Sequence, residues 1–581
     1  MSPFITLEDV TYRYPKAQPF DPPALRGVDL RIRAGAYVAL VGANGSGKTT
    51  LARHLNALLI PTEGSVRIDG RDTCDPTHHP EIRQTVGMVF QRPENQIIAS
   101  VVEEDVAFGL ENLALPPGVI RRRVQQALES VDMWPSRHRP PRMLSAGQMQ
   151  RVALAGVLAM QPRCIIIDEA TAMLDPMGRE QVRTMIRALH EQGKTIIAIT
   201  HRMEEALDAD RVIVMSDGQI VMDGTPRDVF RHPADLHTLG LDLPPISKLA
   251  RTLHEHLPVV PDDCMTLDDV LDALEDLVPK QRVTATTPSP EAFRRRSLSP
   301  LIEVDALSHT YMRGTPFAQR SLHKVTLTIG EGERHGLLGP TGAGKSTLLQ
   351  HLNGLLRPQE GRVQVGNENL GDPETDVQAI RSRIGLVFQR PETQIFEQYV
   401  GDEIAYGPRL QGLQDRALRD RVRWAMDQVG LDFEEDKDRY TFSLSGGQKR
   451  KVALASILAL RPEALLLDEP TAGLDPRASQ DLRRNVRLMN DAGMTLVLSS
   501  HRMEELAETA EQLTVLADGS TVLSGPPRAV FAQGERLRTL GLDQPLVAKL
   551  AEELHARGWP IPQGITESEA LSRFIAEAVR G

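Results

Sequence analysis

Residues Gly42 to Thr50 read GANGSGKTT, and residues Gly339 to Thr347 read GPTGAGKST. Both fit G-x-x-x-x-G-K-[ST], the spacing of a loop that holds phosphate groups. In each copy an apolar strand, YVALVG or HGLLG, enters the glycine-rich turn, and a helix is predicted to leave it. Backbone N–H groups and the N-terminus of that helix surround β- and γ-phosphates, while Lys48 or Lys345 adds a positive charge. The candidate phosphate-binding residues of the first loop are Gly42, Asn44, Gly45, Gly47, Lys48, Thr49 and Thr50. Those of the second are Gly339, Thr341, Gly342, Gly344, Lys345, Ser346 and Thr347. Thr49 and Ser346 carry the hydroxyl that reaches a Mg²⁺ ion in loops of this kind. The order strand, loop, helix predicts an α/β fold for each copy.

The duplication continues beyond the loops. LSAGQ at Leu144 to Gln148 is answered by LSGGQ at Leu444 to Gln448, and IIIDEAT at Ile165 to Thr171 by LLLDEPT at Leu465 to Thr471. Lys48 and Lys345 lie 297 residues apart, Gln91 and Gln389 298, and Glu169 and Glu469 300. So slow a drift means two copies of one domain separated only by small loop insertions. Each copy then runs through a strand, TIIAIT or TLVLSS, directly into His201 or His501. RVIVMSDGQIVMDG at Arg211 to Gly224 and LTVLADGSTVLSG at Leu513 to Gly525 read as β-hairpins. Leu236 to Leu257 parallels Leu537 to Gly558, a short turn followed by an amphipathic helix, so this extension also belongs to the repeat. The predicted organisation is a domain over 1–230, a helical extension over 231–279, a linker over 280–300, a second domain over 301–530 and a second extension over 531–581. The linker contains Pro288, Pro290 and Pro300 with Ser, Thr and the triplet Arg294, Arg295 and Arg296, which reads as a solvated charge run.

Composition sets outer limits. A chain of 581 residues is too long for one hydrophobic core. Its formal net charge of -11 disfavours an extended interface with nucleic acid or anionic lipid. Cys74, Cys164 and Cys264 are far apart and lack C-x-x-C spacing, which suggests neither a disulfide framework nor a zinc site and points to the cytoplasm. No stretch approaches the ~20 apolar residues needed to span a bilayer. The N-terminal MSPFITLEDV does not have the pattern of a secretory signal, and the chain is expected to be soluble by itself.

Asp168 and Asp468 close the apolar strands Cys164 to Ile167 and Ala464 to Leu467. A carboxylate at the end of a buried strand beside a phosphate loop is suited to hold Mg²⁺, directly or through water. Glu169 and Glu469 follow at once, placed to orient or deprotonate an attacking water.

Together these residues resemble the nucleotide-binding domains of ABC ATPases, the LSGGQ-type signature being the specific mark. The resemblance implies two tandem P-loop domains, each with a helical subdomain carrying the signature and a small C-terminal extension, using ATP and Mg²⁺. It further implies an intramolecular head-to-tail pair in which each ATP lies between one phosphate loop and the other domain's signature. One site would combine Lys48, Asp168, Glu169 and His201 with Ser445, Gly446 and Gly447, and the other Lys345, Asp468, Glu469 and His501 with Ser145, Ala146 and Gly147. Gln91 and Gln389 match the Q-loop, with a share in catalysis and in the metal site; Asp175 and Asp475 match the D-loop, and Tyr14 and Tyr311 the aromatic that stacks on adenine. His201 and His501 match the switch histidine that contacts the γ-phosphate.

Two departures break the symmetry. Ala146 stands opposite Gly446, and Ala170 opposite Pro470. If the glycine position requires a positive φ or a close approach to phosphate, a methyl group there would cost roughly 1 kcal/mol or more, and the Lys345 site would be the weaker.

The stretches VGMVFQRPENQIIASVVEEDVAFGLEN and IGLVFQRPETQIFEQYVGDEIAYGP, with DEATAMLDP and DEPTAGLDP, resemble the two paralogous ATPases of energy-coupling-factor (ECF) importers joined in one polypeptide. That likeness implies a motor at the cytoplasmic face of the membrane. It would work with a separate transmembrane coupling subunit and a substrate-capture subunit, the cargo being a vitamin, a vitamin precursor or a transition-metal ion. Glu94 and Glu392, just after the Q-loop glutamines, are candidates to receive arginines of partner helices. Two other readings are a soluble twin-cassette ATPase acting on ribosomes or nucleic acid, and a twin-cassette sugar importer. The short proline-containing linker and acidic chain speak against the first, and two intact glutamate and histidine sets against the second.

Overall fold

The computed structural model describes residues 3–15, 22–169, 171, 174, 176–275, 277, 299–315 and 317–580. Asp175, Ala170, most of the linker and its three arginines lie outside the described residues. The chain divides into two compact units, one on each copy of the repeat.

The N-terminal unit holds two sheets. Strands β1 (Ile5–Tyr12), β2 (Leu25–Ile32), β4 (Glu63–Ile68) and β5 (Arg71–Asp72) form an antiparallel sheet in the order β2-β1-β4-β5. Strands β3 (Tyr37–Val41), β6 (Val86–Val89), β7 (Cys164–Asp168), β8 (Thr195–Ile199), β9 (Arg211–Ser216) and β10 (Gln219–Gly224) form the second, ordered β10-β9-β3-β8-β7-β6. It is parallel throughout except for the β9–β10 hairpin. A parallel sheet covered on both faces needs apolar residues on both, and so its strands read as unbroken apolar runs. In β3 Val38 and Leu40 face a core shared with β1 and the helix Lys48–Leu55, while Tyr37, Ala39 and Val41 face the opposite core. That opposite core takes in the helices Val102–Asn112, Pro117–Ser130 and Ala146–Ala159, the last two forming with the first a helical arm.

The C-terminal unit repeats the plan. Strands β11 (Pro300–Tyr311), β12 (Gln319–Gly330), β14 (Glu360–Val365) and β15 (Glu368–Asn369) make the antiparallel sheet. Strands β13 (Arg334–Leu338), β16 (Ile384–Val387), β17 (Ala464–Asp468), β18 (Thr495–Ser500), β19 (Gln512–Ala517) and β20 (Ser520–Gly525) are ordered β16-β17-β18-β13-β19-β20. The equivalent helices of its arm are Val400–Leu410, Asp415–Gln428 and Gly446–Leu458. The expected α/β architecture with a helical subdomain is present in both units. One boundary moves: Pro300, read as the last linker residue, opens β11 opposite Gly330. Proline is accepted there because the first residue of a strand need not donate to the ladder.

Each extension is helical. The helix Pro245–His256 buries Ile246, Leu249, Ala250 and Leu253, and Leu546–Ala556 buries Ala548, Leu550, Ala551 and Leu554. Leu236 and Leu241 of the first extension, and Leu537 and Leu542 of the second, belong to the main core of their own units.

Candidate functional site

Each phosphate loop is held in shape by the glycine before its lysine. Gly47 has φ 100° and Gly344 φ 97°, and a Cβ there would lie 2.7 Å from the Ala24 carbonyl oxygen or 2.6 Å from that of Ser321. Only glycine meets both demands. The helix begins at the next residue, so the lysine starts its life on the first turn and folds back over the loop. Lys48 Nζ donates to the carbonyls of Gly42 and Ala43, both at 2.8 Å, and to Ser46 Oγ at 3.3 Å. Lys345 Nζ donates to Gly339 O at 2.6 Å and Pro340 O at 3.0 Å. Burial pushes the Lys48 ammonium down to about 8, opposed by Glu169 and Asp168.

The acidic pair sits where β7 or β17 ends against the loop. Thr49 Oγ1 donates to Asp168 Oδ1 at 3.3 Å. Burial raises the Asp168 carboxyl to about 6, reinforced by the neighbouring Glu169 charge. Asp468 is likewise raised by burial, but the hydroxyls of Ser346 and Ser499 oppose the shift, Ser499 Oγ donating to Asp468 Oδ1 at 2.5 Å. A buried carboxylate raised in this way, with a hydroxyl beside it and a phosphate loop next door, fits a cation site: bound Mg²⁺ would relieve the desolvation that raises it.

The adjacent glutamates are driven in the opposite direction. Burial alone would raise Glu169, but the hydrogen bond and charge of His201 outweigh it and hold the carboxyl below its ordinary value. His201 Nε2 lies 2.6 Å from Glu169 Oε1, and Gln91 Nε2 donates to Glu169 Oε2 at 2.7 Å. In the second unit burial is again outweighed, chiefly by His501, and Glu469 falls to about 2. His501 Nδ1 lies 3.1 Å from Glu469 Oε2, to which Gln389 Nε2 donates at 3.1 Å. Both glutamates also have left-handed backbones, φ 51° at Glu169 and 47° at Glu469. For a residue with a Cβ this costs free energy and persists only where the surroundings enforce it, as functional sites do. The result is one carboxyl of each pair raised and its neighbour kept ionised, the arrangement in which two acids take different tasks.

The signature is first of all a helix start. Ser145 Oγ accepts from Gln148 N at 3.2 Å while Ser145 N donates to Gln148 Oε1 at 3.1 Å, a capping box that Ser445 and Gln448 repeat at 3.3 and 3.1 Å. Serine and glutamine three residues apart are thus required by the helix itself. The first turn of such a helix has N–H groups with no partner inside the helix, a setting that suits an anion. Gly446 is the first residue of the helix Gly446–Leu458 and carries no positive φ, and a Cβ on it would meet nothing within 4 Å among the described residues. The backbone-strain argument for a weakened Ala146 signature therefore fails: the position is ordinary helix.

Tyr14 and Tyr311 expose their rings while their hydroxyls lie 3.0 Å from Thr50 Oγ1 and 3.2 Å from Thr347 Oγ1. Asp475 stands just before the helix Pro476–Asp491. Glu94 and Glu392 sit, exposed, on single turns of helix after each Q-loop. Sequence reasoning missed a further buried carboxylate common to both units. Thr171 and Thr200 both donate to Glu205 at 2.7 Å, and Thr471 and Ser500 to Glu505 at 2.8 and 2.9 Å. The repeated HRMEE at 201–205 and 501–505 carried that signal.

The sequence profile of the ABC transporter family matches residues 25–172 and again 322–472. A Methanosarcina mazei protein, named provisionally as an ABC transporter ATP-binding protein, is 35% identical over 99% of this chain and 98% of its own length. Half-length relatives are the energy-coupling factor transporter ATP-binding protein EcfA1 of Caldanaerobacter subterraneus, 50% identical over 47% of this chain and 99% of its own, and that of Symbiobacterium thermophilum, 51% identical over 47% and 97%. Two profile matches, a relative alike from end to end and two loops built for triphosphate lead to one assignment: the chain belongs to the ABC transporter family and carries two of its ATPase domains in a single polypeptide.

Proposed function

We propose that this chain is the motor of an ECF-type importer, supplying the work of ATP hydrolysis to separate membrane subunits. The observation that carries the reading is that the half-length relatives bear the name of ECF ATPases, while this chain retains a glutamate, histidine and glutamine cluster in each half. Among the described residues no helix is long and apolar enough to cross a membrane, consistent with a peripheral subunit at the cytoplasmic face that leaves transport to a coupling subunit and a substrate-capture subunit. The cargo class is a vitamin, a vitamin precursor or a transition-metal ion.

In each cassette the loop lysine and backbone N–H groups bind the β- and γ-phosphates, and Tyr14 or Tyr311 stacks on adenine. Thr49, Asp168 and Gln91, or Ser346, Asp468 and Gln389, would hold Mg²⁺, which neutralises charge on the phosphates. Glu169 or Glu469, kept ionised by its histidine, accepts a proton from water as that water attacks the γ-phosphorus; the bond to the β-phosphate oxygen breaks and ADP leaves with phosphate. In the pairing that the resemblance implies, Ser445, Gly446 and Gly447 would serve the nucleotide of the first cassette and Ser145 and Gly147 that of the second. The linker makes that pairing intramolecular and raises its effective concentration.

Affinity purification of the tagged chain from its native membrane tests the partner assignment. Recovery of two integral membrane proteins is expected, and charge reversal at both Glu94 and Glu392 should abolish it while ATP binding persists. Recovery of ribosomal particles instead would overturn the reading.

A further inference from the structure

The third residue after the signature glycine pair differs between the units, Gln150 in one and Arg450 in the other. Arg450 is nine-tenths buried at the heart of the C-terminal unit. Its Nη1 donates to the carbonyls of Pro470 and Ala472, the latter at 2.8 Å, and its Nη2 to the carbonyl of Gln389 at 3.0 Å. One guanidinium thus ties three segments together in space: the helix that begins at the signature, the Q-loop, and the segment that leaves Glu469. Burial works against its charge, and the carboxylates of Glu392, Glu505 and Glu469 counter that cost. Gln150 is also buried, and its Nε2 donates to the Phe90 carbonyl at 3.4 Å. A neutral amide offers two N–H groups on one nitrogen, whereas guanidinium offers a rigid fork of five.

We propose that Arg450 is a positioning residue of the C-terminal cassette, clamping the Q-loop to the segment after Glu469 so that the two move as one body and Glu469 is presented to water in register with Gln389. The N-terminal cassette has Gln150 at this position, a neutral amide with two N–H groups in place of the five-donor fork. The inference rests on the ATPase reading of Glu469 and Gln389. It adds a device outside the nucleotide-contacting residues that makes the two cassettes unequal in how tightly the signature helix is geared to hydrolysis. A buried charged hydrogen bond is stronger than a neutral one, and a misplacement of ~1 Å at a catalytic group can cost about a hundredfold in rate.

The full-length chain carries the test, with steady-state ATP turnover measured against ATP concentration for Arg450→Gln, which installs the residue the other unit uses. kcat is expected to fall about fivefold or more, with KM unchanged within about twofold, because Glu469 and Gln389 lose their placement for the attacking water while the residues proposed to hold the nucleotide are untouched. A kcat within about twofold of the parent overturns the inference. Should that variant fail to fold by circular dichroism, Arg450→Lys keeps the charge but not the fork; a drop of about threefold or more at constant KM is then expected, and full retention is fatal to the proposal. Gln150→Ala should cost less than Arg450→Gln, and an equal or larger loss would refute the inequality. Glu469→Gln is measured in parallel. Undiminished turnover in that variant removes the ATPase assignment of the site, whereas loss there with full activity in Arg450→Gln removes only the role of the arginine.

Discussion

The two units share their candidate catalytic residues and differ in what lies behind them. Where the C-terminal unit has Glu333, His335 and Thr514, the N-terminal unit has Ala36, Val38 and Ile213 at the matching positions of the sheet. His335 is buried with Nδ1 2.7 Å from Glu333 Oε1 and Nε2 2.9 Å from Thr514 Oγ1, and Glu333 Oε2 accepts from Gly330 N at 2.9 Å. Val38 and Ile213 simply pack in the apolar core. Under the helix of each phosphate loop, Tyr12 meets His54 edge-on at 4.8 Å in one unit, and His309 meets His351 at 4.8 Å in the other. Duplication has kept the reacting groups under constraint while the supporting core drifted between apolar and polar solutions. Each unit is therefore the natural control for the other.

The largest effects should be at the glutamates. Glu169→Gln and Glu469→Gln, assayed separately for ATP turnover, are each expected to remove about a hundredfold or more of the rate, the usual contribution of a positioned general base. Equal losses would mean that the two cassettes fire in obligatory concert. A loss under about tenfold in one alone would mean that the other carries the cycle.

Next comes the buried network. His335→Val alone removes the imidazole from Glu333 Oε1 and Thr514 Oγ1 in the core and is expected to cost about 3 kcal/mol, the range for a broken buried pair. The triple change Glu333→Ala, His335→Val and Thr514→Ile copies the N-terminal solution and should recover most of that loss, because well-packed apolar groups can replace a polar network outright. Urea unfolding can follow one unit at a time. Trp134 lies in the N-terminal unit and Trp424 and Trp559 in the C-terminal one, so Trp134→Phe makes tryptophan fluorescence a reporter of the latter. A triple variant no more stable than the single would break the analogy between the cores.

Acid should separate the units in the same assay. Burial pushes His351 down to about 4, and the facing His309 adds to the shift. Between pH ~6.5 and about 4 the unfolded chain takes up a proton that the folded one refuses. The stabilising effect is complete above pH ~6.5, is lost as pH falls through that window and changes no further below about 4. The shift of about 2.5 units corresponds to a loss on the order of 3 kcal/mol. His54 is also lowered by burial, but it faces Tyr12 rather than a second histidine. The C-terminal unit should therefore lose more, and His309→Tyr should narrow the gap.

The two loops and acidic pairs were legible because their chemistry is written in contiguous residues at fixed spacing. Gly47 and Gly344 could be placed from sequence since a left-handed turn beside a backbone carbonyl admits nothing else. Ser145 and Gln148 were legible as a motif, although their first duty, capping a helix, appears only in the hydrogen bonds. What stayed hidden came from afar in the chain. Ser499 reaches Asp468 from the adjacent parallel strand and Arg450 reaches Gln389 across the arm. Glu205 gathers Thr171 and Thr200 from two strand ends. None of these pairings follows from spacing, because strand order and side-chain direction decide them. The backbone-strain part of the Ala146 comparison failed for a related reason: a positive φ or a crowding neighbour is what forbids Cβ, and the helix start at Gly446 has neither among the described residues.

The smallest expected effect tests the finest difference. Ser499 donates to Asp468 at 2.5 Å, while the equivalent residue on β8 is Ile199, so the Asp168 carboxyl has the Thr49 hydroxyl but no such serine. Hydrogen bonding to the charged form favours ionisation, and Ser499→Ile should therefore raise the Asp468 carboxyl toward the value of its counterpart, about 6 at Asp168. A group kept ionised in this way loses function as pH falls through its pKa, so the acid limb of ATP turnover should move to higher pH, by less than about one unit, with the rate near pH 8 changed less than about threefold. A limb that stays where it was would show that Asp468 does not govern it. A collapse at every pH would show that Ser499 does more than tune a carboxylate, and the comparison between the two cassettes would then extend from their supporting cores into the reacting groups themselves.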